Sequence, residues 1–259
     1  MARMGSKTAI CLTLALALAG ASAATLAPTS ARAQTADPPP GPLAQPLTDP
    51  KDFTGVWQQK GYAIRYPVVG GGPAPYLPWA AADAQRRADA QKAGKPISDS
   101  TAQCMPSGVP RVMGAPYPIQ FLQTKKQIVL LHEVQHLFRF FYLNEEHPKD
   151  LDPTFMGHSV AHWEGNTLVV DTVALNKDTL INEAGDPHSD KLHLIEHWSK
   201  SADGKVLTDL LTIDDPGAYS KPWSIEYKYY WRPEIRFIEY ICEENNRNVT
   251  DENGVVRAK

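Results

Sequence analysis

Residues 157–174 read Gly-His-Ser-Val-Ala-His-Trp-Glu-Gly-Asn-Thr-Leu-Val-Val-Asp-Thr-Val-Ala. Two β-rich runs flank Gly165-Asn166, a pair that tolerates positive φ and suits a two-residue hairpin loop. With that loop, Glu164 faces Thr167, Trp163 faces Leu168, Ala161 faces Val170 and His158 faces Val173. Side chains alternate between the two faces of a strand. One face then carries Trp163, Leu168, Ala161 and Val170, and the other carries His158, His162 and Asp171. Asp171 lies diagonal to both imidazoles. The expectation is that this polar triplet points into a solvent-reachable cavity and that Asp171 bonds at least one of its histidines.

Further strands are expected on both sides of the hairpin. Runs 119–124 and 127–133 flank Lys125-Lys126, and 136–143 follows. Runs 191–199 and 206–213 pair across Ala202-Asp203-Gly204, and 223–231 and 235–242 complete the set. Short strands separated by turn residues predict a mainly β fold, an antiparallel β-barrel or barrel-like sandwich. One N-terminal helix is expected over 79–92, entered at Pro78 and left at Gly94, with a charged face outward. Asp52-Phe53-Thr54-Gly55-Val56-Trp57 reads as the first strand of a single β domain, 52–245.

Residues 1–33 read as a signal peptide. Arg3 and Lys7 precede an apolar run, and Ala31-Arg32-Ala33 fits a cleavage site before Gln34. The Pro-rich stretch 34–51 reads as a linker and 246–259 as a polar tail. Without the leader the chain keeps 23 basic and 29 acidic residues, a net of −6. No basic patch suggests nucleic acid, and no later stretch suggests membrane insertion. Export predicts a periplasmic or secreted protein, in which Cys104 and Cys242 pair as a disulfide worth about 4–5 kcal/mol in the chain-entropy model.

Several stretches together resemble a family of exported bacterial proteins. They are Pro116-Tyr117-Pro118, His147-Pro148, the run from Gly157-His158-Ser159-Val160 to Thr172, Pro187-His188-Ser189, and Cys242-Glu243-Glu244-Asn245-Asn246-Arg247. The resemblance implies export and carries no activity. This chain has Ala161 where that family usually has Gly, and Asn166 where it has Asp. Separately, Gly55-Val56-Trp57 resembles the opening of lipocalins, which implies a tryptophan packed across a barrel's closed end.

His132-Glu133-Val134-Gln135-His136 matches the zinc-peptidase pattern, which needs a helix to put both imidazoles on one face. Its β-branched and aromatic surroundings favour strands, where the two histidines stand about 13 Å apart. The same spacing separates His158 from His162, so no metal is expected. Glu196 and Glu239 sit on otherwise apolar strand faces, where Arg139 is available as a structural partner. Tyr227, Tyr229 and Trp231 share one face, and His188 lies in a turn-rich loop. No phosphate loop or dinucleotide fingerprint occurs, and no cofactor is expected.

Three functions follow. The first is acid–base catalysis on a small organic substrate, of lyase, isomerase or hydrolase type. There His158 is the base, Asp171 its orienter, and His162, Glu196 or His136 the acid. His188, Arg139, Trp231 and Tyr229 are then the substrate-binding candidates. The second is a lipocalin-like protein that binds a small-molecule ligand without chemistry. The remote third is the zinc peptidase. The sequence gives no oligomeric state.

Overall fold

The computed structural model describes residues 45–242, 248–250 and 256–258. The expected leader and residues 34–44 of the linker lie outside the described residues. Nine strands follow one another around a closed barrel: β1 (Gly55–Gln59), β2 (Ile119–Gln123), β3 (Gln127–His132), β4 (Phe138–Leu143), β5 (His158–Glu164), β6 (Thr167–Val173), β7 (His193–Lys200), β8 (Val206–Asp214) and β9 (Trp223–Trp231), which returns to β1. One helix, α1 (Pro78–Lys92), lies against the barrel through Ala80 and Ala84, one turn apart. In the polar tail, β10 (Asn248–Thr250) pairs antiparallel with β11 (Val256–Ala258).

The β5–β6 hairpin has the expected register at all seven residue pairs, from Glu164 opposite Thr167 to His158 opposite Val173. Gly165 takes φ +59°, as the first position of a II′ loop requires. The faces are reversed with respect to the cavity. Ala161, Leu168 and Val170 are buried inside the barrel, and His158, His162 and Asp171 lie on its outer wall. The interior is packed with side chains, among them Phe121, Ile128, Leu130, Phe141, Leu194, Trp198, Leu211 and Tyr229. Apolar burial gains about 25 cal/mol per Å², whereas an imidazole turned inward would need a polar partner there. The apolar face of the hairpin therefore goes in.

Two strand expectations change. β4 and β5 run parallel, joined by the crossover 144–157, so the barrel is not wholly antiparallel. Their seam is short, with three paired residues. Residues 235–242 form no strand. Their backbone is taken by side chains instead: Glu133 Oε2 accepts from Ile238 N–H at 3.1 Å and His136 Nε2 from Tyr240 N–H at 2.8 Å. Glu239, expected on an apolar face, is exposed.

One end of the barrel is closed. Lys200 Nζ donates to Leu47 O and Asp52 O, holding the chain across that end. Phe53 is fully buried there against Phe121 and Trp163. Trp57 is buried too, with its indole N–H on Phe53 O at 2.8 Å and its ring edge-on to Trp231. Gly55 is required at this point, because a Cβ there would stand 2.1 Å from the Trp231 ring. At the other end the long connections gather around a mouth.

Arg139 crosses the interior beneath the parallel seam. Its guanidinium bonds Glu196 of β7 at 3.0 and 2.5 Å, Thr172 of β6 at 3.1 Å and Ser159 of β5 at 3.4 Å. All four side chains are buried. Removing one partner of a buried pair costs about 3–5 kcal/mol, because it strands the other charge. Arg139→Met should therefore lose about that much stability at pH 7 in urea unfolding. A variant as stable as the parent at pH 7 would show that the pair contributes nothing.

Candidate functional site

The mouth holds a cavity of about 490 Å³. Tyr66, Tyr117, Tyr227 and Tyr240 line it, with Arg111 and Asn182. The tyrosines stand in two edge-to-face pairs. Tyr66 and Tyr227 are 4.6 Å apart between ring centroids, and Tyr117 and Tyr240 are 5.7 Å apart. Burial raises the Tyr66 and Tyr227 phenols above their ordinary range, so both stay neutral donors at physiological pH. The Arg111 charge is met by Asp99 at 2.7 Å.

The H-E-V-Q-H stretch builds these walls. It leaves β3 through a short 3₁₀ turn, Val134–His136, in which Gln135 takes φ +57°, so its two histidines share no helical face. Gln135 accepts from Ser107 N–H at 3.0 Å and donates to Met105 O at 2.7 Å. Glu133 and His136 hold the 238–240 backbone as described above. Cys104 and Cys242 stand at disulfide distance, their Cα atoms 5.6 Å apart. They join that segment to the Ser100–Gln103 turn. His132 is sealed inside, and burial, aided by the Arg139 charge, pushes its imidazole down to about 3.

A second polar group lies on the outer wall. Asp171 Oδ1 accepts from His193 Nε2 at 2.8 Å and from His147 Nε2 at 3.0 Å. His147 Nδ1 meets His158 Nδ1 at 2.8 Å, a contact that needs one shared proton. His158 stacks on Tyr142, with ring centroids 5.2 Å apart, at the edge of an outer cleft of about 290 Å³. Phe138, Phe140 and Met156 also line that cleft. Burial and the His147 charge lower the His158 imidazole below its usual range. The Asp171 bond raises that of His193. Burial opposes ionisation of Asp171, but its two imidazole partners outweigh this and hold the carboxyl below the usual carboxylate range.

The expected site residues are thus dispersed. His158 and Asp171 join through His147, not directly. His162 is exposed and bonds Glu164 on its own strand at 3.0 Å. Glu196 and Arg139 form the buried pair, away from solvent. His136 is exposed and holds the Tyr240 backbone. His188 is buried, bonded to Thr179 Oγ1 and Ser189 O, each at 2.7 Å. Tyr229 donates to Met113 O inside the barrel, and Trp231 packs on Trp57. His147 entered only through the His147-Pro148 resemblance, with no site role, and His193, Tyr66, Arg111 and Asn182 did not stand out in the sequence. His193 was within reach of it, because pairing Asp171 with Ile195 puts His193 diagonal to Asp171 on the outer face. His147 follows no such rule, since its connection has no periodicity.

Among the described residues, no three His, Cys, Asp or Glu side chains are grouped to hold a metal ion. Comparison with protein-family models, with curated proteins and with solved structures found no match to this chain.

The histidine couplings are measurable by NMR titration. His147→Ala should raise the His158 pKa toward the unperturbed value of about 6.5, by removing a neighbouring cation. Asp171→Asn should bring that of His193 down toward the same value. The signs for stability are opposite. His193 contributes stability that is full below about pH 6.5 and is lost as pH rises through its raised folded value. His158 contributes above about pH 6.5 and loses it as pH falls through its lowered one. Unchanged titrations in both variants would mean that these contacts do not persist in solution.

Proposed function

We propose that this protein binds a small, ring-bearing organic molecule in the mouth of its barrel, as a carrier or receptor of an exported compartment. The observation that carries this is the cavity of about 490 Å³ walled by four tyrosines at the barrel's open end. Small-molecule sites run from about 300 to 1,000 Å³, favour barrel mouths, and combine apolar walls with a few placed polar groups. Gln135, Glu133, His136 and the Cys104–Cys242 pair support the reading further, because walls held in advance lose little freedom on binding. The paired cysteines favour an oxidising compartment, periplasmic or extracellular.

A second reading is acid–base chemistry at the outer cleft. The chain of bonds from Asp171 through His147 to His158 favours it, since it ends on an imidazole at the cleft's edge. In that role His158 is the base, and His147 and Asp171 orient it.

Thermal-shift titration with benzylamine, benzyl alcohol and benzoate separates the two sites. At least one probe should raise the melting temperature, and Tyr117→Ala should weaken its binding about tenfold, equivalent to about 1.4 kcal/mol. His158→Ala, on the outer wall, should leave that binding unchanged. Loss of binding in His158→Ala but not in Tyr117→Ala would move the site to the outer cleft.

A further inference from the structure

Asp209 is the interior acid that the fold leaves unmatched. It sits on the inward face of β8, fully buried, and neither carboxyl oxygen has a hydrogen-bond partner. Buried polar atoms are almost always bonded, and among the described residues Asp209 is the one carboxyl whose buried oxygens both lack a partner, which leaves room for one from outside the chain. Arg139 does not bond it: its two terminal nitrogens go to Glu196, and its charge reaches Asp209 without a hydrogen bond. Rings surround the acid. Trp198 of β7 and Tyr227 of β9 are its cross-strand neighbours, and Tyr229 stacks on Trp198 at 5.6 Å.

Tyr227 joins this place to the mouth. It lines the cavity, and its hydroxyl bonds nothing among the described residues. Its cover is Tyr66, which belongs to the connection after β1 and not to the barrel wall. Tyr66 is half-buried and is held at its hydroxyl by Gln59. Tyr66 is thus a loop side chain packed on the barrel residue that neighbours Asp209.

We propose that the mouth ligand is a small organic cation, an arylalkylammonium or arylamidinium, whose charged end passes Tyr66 to pair with Asp209 while its ring stays among the mouth tyrosines. This rests on the mouth-binding function proposed above and names its ligand class. The electrostatics follow from the neighbours. Burial and the Glu196 carboxylate push the Asp209 carboxyl well above its ordinary range, against the Arg139 charge, and so favour its protonated form in the empty site. A cation at contact reverses that balance. Asp209 then ionises, its proton leaves to solvent, and the interior keeps the same net charge: one cation enters and one proton departs. Aromatic rings such as the neighbouring Trp198 and Tyr227 favour a cation over an anion. A neutral ligand would leave the acid unmatched.

Isothermal calorimetry on the full chain at pH 7, in phosphate and in Tris, tests this with four probes of similar shape. Benzylamine and benzamidine, both cations at this pH, should bind at least tenfold more tightly than benzyl alcohol and benzoate. The difference in heat between the two buffers should report one proton released per cation bound. Asp209→Asn keeps the side chain's shape. It should weaken the cations at least tenfold, abolish proton release and leave benzyl alcohol unchanged. Should that variant fail to fold, the proton count on the parent chain decides alone. Tyr66→Ala should speed cation association in stopped-flow fluorescence. If benzoate or benzyl alcohol binds as well as the cations, or the cations bind without proton release, the ligand class is wrong and the mouth function stands. If no probe of any charge binds, both fail together.

Discussion

The Arg139–Glu196 pair is the interaction on which the rest of the barrel depends. A closed barrel needs every neighbouring strand to pair, and three of its seams, β4–β5 and the two of β1, pair through only three residue pairs each. Arg139 makes up the shortfall at β4–β5 from inside. It starts on β4 and bonds side chains on β5, β6 and β7, so one guanidinium spans the weak seam and the two strands beyond it. A lysine could not do this, because it lacks the planar set of donors that reaches three partners at once. The arrangement also explains why Ser159 and Thr172 are tolerated on inward faces. Each supplies an oxygen to the guanidinium, and they bond one another at 2.8 Å.

The same pair divides the interior into two regimes. Toward the closed end the barrel is filled by aromatic packing around Phe53, Phe121, Trp163 and Trp198. Toward the mouth the filling becomes polar and tyrosine-rich, and the packing ends in a cavity. The transition is built from Tyr229, Tyr227 and Tyr66: Tyr229 donates to Met113 O and Tyr66 to Gln59 Oε1, and the Tyr227 ring lies between the core and the cavity wall. Apolar packing supplies the stability of the closed half, and the open half is left free to receive a ligand. The His147–Asp171 cluster stands outside this gradient, on the wall, where it ties the crossover to β6 and β7.

Much of this was legible in the sequence, and the failures have physical causes. The hairpin register was readable because Gly165-Asn166 sets loop length and the period of two does the rest. Which face turned inward was not, because that choice is made by the summed apolar burial of the whole barrel and not by the three polar residues of one hairpin. The strand expected at 235–242 has the right composition. It failed because Glu133 and His136, distant in sequence, claim the backbone N–H groups a ladder would have used. The pairing of Cys104 with Cys242 was readable from the expected export, which assigns Cys11 to the leader and leaves these two as an even pair. The mouth was not, since its four tyrosines come from four separate places, three connecting segments and one strand, and no local pattern brings them together.

The parallel seam also has a bearing on how the chain reaches this structure. β2 to β4 and β5 to β9 each consist of strands that pair with their sequence neighbours. Such local pairings form before non-local ones, whose loop-closure entropy comes due first. The two sheets therefore assemble separately, and the barrel closes when β4 meets β5 and β1 bridges β2 to β9. Until then Arg139 and Glu196 belong to different sheets and keep their hydration. Closure must strip water from both ions in the same event that joins the backbone.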